Sequence, residues 1–154
     1  MKKIYVFIGL IVVYGCATVP ITGRSQLKLI SNEKVLPMSA EQYAEVKKSG
    51  DLVTGTDQSK MIKEVGSRIQ KAVEQYFAEK GNSAYLEDYQ WEFNLIKEDN
   101  TVNAWCMPGG KVAFYTGILP ICKDATGVAV VMGHEVAHAI ANHGRERISQ
   151  QLAA

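Results

Sequence analysis

The sequence predicts an α+β fold, in which a small antiparallel sheet packs on a long apolar helix near the C-terminal end. Three observations carry this expectation. Apolar residues recur at helical spacing within residues 31–48 and 57–81. Residues 91–117 alternate apolar and polar positions around a Pro108-Gly109-Gly110 turn. Residues 125–140 contain no proline and only one acid, Glu135, as an unbroken apolar helix requires. The 154 residues are sized for one domain. Their 47% apolar and 21% charged content is globular, and a net charge of +1 gives no basic or acidic surface that would recruit nucleic acid.

The first residues read as an address. Met1-Lys2-Lys3 is basic, Ile4 to Tyr14 is apolar, and Gly15 precedes Cys16. This describes a signal peptide over residues 1–15, too short to span a bilayer. Gly15-Cys16 resembles the bacterial lipobox, in which the Cys is acylated, although Tyr14 departs from its usual small or aliphatic residue. On that reading Cys16 is a lipid anchor and residues 16–30 form a tether that becomes extended, with Leu27 and Leu29 facing one way. An ordinary signal peptide with an incidental Cys is the alternative. Cys106 and Cys122 either pair outside the cytoplasm or stay free and buried.

Ser31 or Asn32 is expected to cap a first helix running to Lys48, with Gly50 as its stop and Tyr43 and Val46 facing the core. Pro37 delays its start to about Met38. Asp51 to Gln58 reads as a polar loop, with Asp57 as the cap of a second helix. That helix carries Ile62, Val65, Ile69, Val73 and Tyr76 on its apolar stripe and ends at Gly81. Trp91, Phe93 and Leu95 mark a half-buried strand, Val102 to Met107 a second, and Val112 to Thr116 a third. A peptide lying extended beside an edge strand of such a sheet gains main-chain hydrogen bonds. Gly109 and Gly110 either let that backbone approach closely or only form the turn. Asn103 either lines the site or fixes strand register.

The last helix, capped by Asp124 or Thr126, is expected to run from about Ala125 to the chain end. It contains His134-Glu135-Val136-Ala137-His138. Residues four apart share a helix face, so His134 and His138 can offer two imidazole nitrogens to one metal. Glu135 lies about 100° around the wheel, beside that metal, where it can polarise a bound water. Zinc suits the task, since it accepts imidazole, keeps an open position and lowers the pKa of its water to about 7. On a continuous helix His143 falls opposite His134, and Glu146 lies ~12 Å along the axis from His138. Neither is then a ligand, and Arg145, Glu146 and Arg147 form a solvated face. The Gly and His that the metzincin pattern needs at Ala141 and Gly144 are absent.

These segments resemble a known family. Val19-Pro20-Ile21-Thr22-Gly23-Arg24-Ser25-Gln26-Leu27 after a lipobox Cys, Asn103-Ala104-Trp105 with Pro108-Gly109-Gly110, and Tyr115-Thr116-Gly117-Ile118-Leu119 occur in its order. Gly133-His134-Glu135-Val136-Ala137-His138-Ala139 followed by Asn142-His143-Gly144 is similar to its catalytic helix. The family is that of bacterial lipoprotein metallopeptidases related to the CAAX prenyl proteases, metallopeptidase family forty-eight, of the gluzincin type. The resemblance implies a zincin-like fold whose C-terminal part is missing, with residues 31–154 as the N-terminal part of the peptidase domain. It implies one Zn(2+) per subunit on His134, His138 and a Glu of a later helix, with Glu135 as general base. It implies an endopeptidase of the bacterial envelope at the outer membrane, facing the periplasm. Unfolded or misassembled envelope proteins would be its substrates in quality control. The present residues alone, without the later Glu, are expected to be inactive. A non-catalytic envelope lipoprotein, acting as chaperone or assembly adaptor, is the competing expectation.

Overall fold

The computed structural model describes residues 16–19 and 21–153, with side chains from Thr18 onward. The expected signal peptide, residues 1–15, lies outside the described residues. Strands β1 (Cys16–Thr18) and β2 (Ser25–Leu27) form an antiparallel hairpin, which Cys16 opens opposite Leu27. Helix α1 (Asn32–Ser49), strand β3 (Leu52–Val53) and helix α2 (Asp57–Glu79) follow. A 3-10 turn at Ser83–Leu86 leads to β4 (Glu92–Ile96), β5 (Ala104–Met107) and β6 (Lys111–Tyr115). After a second 3-10 turn come α3 (Leu119–Cys122), α4 (Ala125–Ile140) and α5 (His143–Ala153).

The sheet is mixed rather than antiparallel. Its order is β3-β4-β6-β5, with β4 parallel to β6 and the other pairs antiparallel. The chain runs up β4, down β5 and up β6, so β4 and β6 point the same way. Burial follows this order. Lys111, Val112, Ala113 and Phe114 of β6 are all buried, whereas β5 is mostly half-buried. The more buried strand lies at the centre and β5 at the edge. Pro108-Gly109-Gly110 closes the hairpin between them, with both glycines at positive φ (83° and 80°). A Cβ on Gly110 would stand 2.5 Å from the Trp91 ring, so the turn needs glycine there for space as well as for φ.

Successive β6 side chains point to opposite faces. Val112 and Phe114 join Ile62, Val65 and Phe77 of α2 and Val128, Met132, Val136 and Ile140 of α4 in the larger core. Ala113 faces Tyr43 of α1, together with Ile96 and Trp105. The sheet thus lies between α1 on one face and α2 and α4 on the other, and α4 packs against edge strand β5.

Several helix expectations need correction. α1 starts at Asn32, and Pro37 sits inside it with its ring exposed to solvent. The cap of α2 is Thr56, whose side chain accepts from the Ser59 amide at 3.1 Å, with Asp57 in the first turn. Phe77 is buried where Tyr76 was expected, and Tyr76 is 40% exposed. β3 lies in the stretch read as a polar loop. Leu29 is 50% exposed, so it does not share a buried face with Leu27. No single described helix is long and apolar enough to cross a membrane.

Candidate metal centre

The helix α4 that carries the motif is fixed at both ends. Asp124 caps its start, its carboxylate accepting from the Thr126 and Gly127 amides at 2.8 and 3.0 Å. Gly127 passes so close to α3 that a Cβ would sit 1.9 Å from the Cys122 carbonyl oxygen. From there Val128, Met132, Val136 and Ile140 face the core, which turns His134 and His138 to the exposed side. Their Nε2 atoms converge to 3.0 Å, with the rings nearly perpendicular at 85°. Two imidazole nitrogens on one tetrahedral zinc, each at about 2.0–2.1 Å, stand about 3.3 Å apart. The pair therefore already has nearly the separation that zinc imposes.

Glu135 lines a cleft of about 410 Å³ with Trp105, Cys106, His138, His143 and Glu146. The motif's acid and one histidine thus open into the same space as edge strand β5. Cys106 and Cys122 are free thiols. Burial, with a contribution from the nearby Glu135 carboxylate, pushes the Cys106 thiol up to about 12. Without a metal nearby it is a protonated thiol at neutral pH. Gly109 and Gly110 are buried, and their carbonyls accept from the amides of Gln90 and Glu92. Asn103 sits just before β5, where its side-chain oxygen accepts from the Ala104 amide at 2.9 Å and its carbonyl accepts from Tyr115. Those contacts place Asn103 at the start of the edge strand.

The largest departure from expectation lies past the motif. α4 does not run to the chain end. It stops at Ile140, and Asn142 adopts a left-handed φ of 57° before α5 begins. The carbonyls freed at the break find partners. The Tyr85 hydroxyl donates to the Ile140 carbonyl at 2.6 Å, the Gln26 amide donates to that of Ala141 at 2.8 Å, and the Asn142 side chain donates to Tyr85. On a continuous helix His143 would fall on the far side from His134, but α4 is not continuous there. With the break, His143 Nδ1 comes within 2.7 Å of His138 Nδ1. Burial lowers the His143 pKa, and the charges of His138 and Arg24 add to that, which favours the neutral ring.

The helical face beyond it is not solvated throughout either. Arg145 is 5% exposed and donates to Asn32 at 2.6 Å, tying α5 to α1. Glu146 accepts from both terminal nitrogens of Arg24, at 2.8 and 2.5 Å. That bidentate pair holds the Glu146 carboxyl below its usual range. Sequence reasoning missed Tyr85, Gln26 and Arg24, which clasp the break from far away in the chain. The available signal was Asn142, a residue type that tolerates left-handed backbone.

The donor set fits two of the ligands of a catalytic zinc and its general base. Among the described residues, no group of three or more His, Cys, Asp or Glu side chains is placed to hold a metal. Comparison with known proteins decides the family. Residues 65–154 match the model of peptidase family M48. The chain belongs to that metallopeptidase family. It is 33% identical over 132 residues to the mitochondrial metalloendopeptidase OMA1 of Schizosaccharomyces pombe, covering 85% of this chain and 36% of that one. It is 43% identical to OMA1 of Arabidopsis thaliana over 70 residues, 46% of this chain and 14% of that one. Human OMA1 is 26% identical over 131 residues, 83% of this chain and 24% of the relative. The M48 chain thus spans about a third of the length of its fission-yeast relative or less of the others named. No solved structure matches it. These relatives are named as mitochondrial, which overturns the expected location at a bacterial outer membrane facing the periplasm.

Proposed function

We propose that these residues form the front part of the catalytic unit of a zinc-dependent endopeptidase. The observation that carries this is the approach of His134 Nε2 and His138 Nε2 to 3.0 Å, on a helix whose Glu135 opens into a cleft beside an edge strand. His134 and His138 would hold the zinc, with a third ligand from outside the described residues. When bound, zinc supplies a Lewis acid for the peptide carbonyl and lowers the pKa of water.

The chain's own residues do the rest. An extended substrate pairs its main chain with β5, the edge strand among the described residues, which sets its scissile peptide in the cleft. Glu135 takes the proton of the attacking water. It then gives that proton to the leaving amine. Recognition through the main chain selects segments that are already unfolded. This supports a role in clearing unfolded or misassembled proteins.

The test is zinc content and casein cleavage by the full-length product of the gene, compared with Glu135→Gln and His134→Ala. Glu135→Gln should keep one zinc and lose cleavage by at least about 100-fold, since general acid–base catalysis is worth about 10²–10⁴. His134→Ala should lose the zinc as well. A full-length protein without zinc, whose Glu135→Gln variant behaves like the parent, would leave a non-catalytic adaptor in its place. The 154 residues alone, holding two ligands, should bind zinc weakly and cleave nothing.

A further inference from the structure

The break between α4 and α5 returns His143 to the nitrogen of His138 that faces away from His134. We propose that His143 is a positioning residue: it accepts the Nδ1 proton of His138 and thereby holds that ring with Nε2 turned toward the metal position. The proposal rests on the metallopeptidase reading above and adds a role for a residue outside the motif.

A neutral imidazole carries a single proton, so Nε2 can offer a lone pair only if Nδ1 holds that proton. The Nδ1–H then needs an acceptor, and such outer contacts fix both tautomer and orientation of metal-ligating histidines. At His138 the group in place is the His143 ring, nitrogen to nitrogen at 2.7 Å. The roles follow, with His138 Nδ1 donating, His143 Nδ1 accepting, and the His143 proton on Nε2. His138 is exposed, so packing does little to stop its ring from turning. The same geometry rules out His143 as a third ligand beside His134. Its near nitrogen meets the opposite side of the His138 ring, and one metal cannot occupy both sides.

His143 is in turn held by its backbone. Asn142 supplies the left-handed step, Tyr85 takes the Asn142 side chain and the Ile140 carbonyl, and Gln26 takes the Ala141 carbonyl. Tyr85 is itself stacked on Phe77 of α2, with centroids 4.9 Å apart. The position of the accepting nitrogen is thus set by three separate parts of the chain.

The experiment uses the full-length gene product and the variants His143→Phe, His143→Gln and His143→Asn. Asn places an amide atom where Nδ1 stands, on the same γ carbon; Gln moves it one carbon further, and Phe removes it. The first readout is the imidazole ¹⁵N shifts of His138, which report the protonated nitrogen with or without metal. The second is zinc affinity by chelator competition. The parent and His143→Asn should show His138 protonated on Nδ1, whereas His143→Phe and His143→Gln should show mixed tautomers. Zinc affinity should fall about 10–100-fold in His143→Phe and His143→Gln and stay within about 3-fold of the parent in His143→Asn. If His143→Phe does not fold, His143→Gln decides. Unchanged tautomer and affinity in His143→Phe and His143→Gln, or equal losses in His143→Asn, would overturn the proposal. A parent that binds no zinc would sink the metallopeptidase reading, and the ¹⁵N shifts would still decide whether His143 governs His138.

Discussion

At the scale of single residues, Asn142 does what no neighbour could do as cheaply. Its φ of 57° costs an ordinary L-residue about 1–2 kcal/mol, less for Asn and least for Gly. Its side chain also donates to Tyr85, which secures the break. Asn142→Ala loses both advantages, whereas Asn142→Gly loses only the hydrogen bond. Urea unfolding should therefore find Asn142→Ala less stable than Asn142→Gly by about 1 kcal/mol, with both below the parent. Equal stability would mean that the left-handed step is not under the strain described. His134, Glu135 and His138 were legible in the sequence because their relation is local: four residues make a helical turn wherever the helix lies. His143 was illegible because its place depends on one dihedral angle, and the partners that hold that angle, Gln26 and Tyr85, lie 55 or more residues away.

At the scale of elements, the strand positions were legible and their neighbours were not. Alternation marks Phe93, Leu95, Val112 and Phe114 as inward-facing, but period two says nothing of which strand lies beside which. The parallel pairing of β4 and β6 brings Glu92 opposite Lys111. Lys111 is almost fully buried, and its ammonium donates to the Glu92 carboxylate at 2.9 Å and to the Gln90 carbonyl at 2.5 Å; Lys47 of α1 reaches the other carboxylate oxygen at 2.6 Å. This network ties α1 to the start of both central strands. Burial pushes the Glu92 carboxyl up, but the hydrogen bonds from Lys111 and Lys47 together outweigh it and hold it below the usual carboxylate range. A carboxyl lowered on folding stabilises above its unfolded pKa, near about 4.3, and loses that contribution as pH falls through the folded value. Glu92→Gln should thus cost about 1 kcal/mol at pH 7, discounted for the half-exposed carboxylate. The gap to the parent should close below about pH 4. A gap that persists in acid would show that shape rather than charge makes the contact.

At the scale of the whole molecule, the three layers leave one side of α4 in the core and turn the other toward the cleft and β5, the edge strand among the described residues. Trp105 and Cys106 of that strand line the same cleft as Glu135 and His138. On the proposed reading, a substrate joins the sheet as its next strand, and this sets a condition on its shape. A segment locked in a folded domain has already used its amides and cannot pair with β5, whatever its sequence. The full-length enzyme should therefore cleave a reduced, alkylated protein and spare the same protein with its disulfides intact, as followed by gel or mass spectrometry. A synthetic peptide sharpens the test. N-methylation at amides that pair with β5 should lower kcat/KM about 5-fold each, the value of roughly 1 kcal/mol per hydrogen bond. Methylation at the alternate amides, which point away from the strand, should change little. Equal losses at every position would mean that the peptide lies across the cleft without joining the sheet. The specificity would then have to come from side-chain contacts with Trp105 and its neighbours instead.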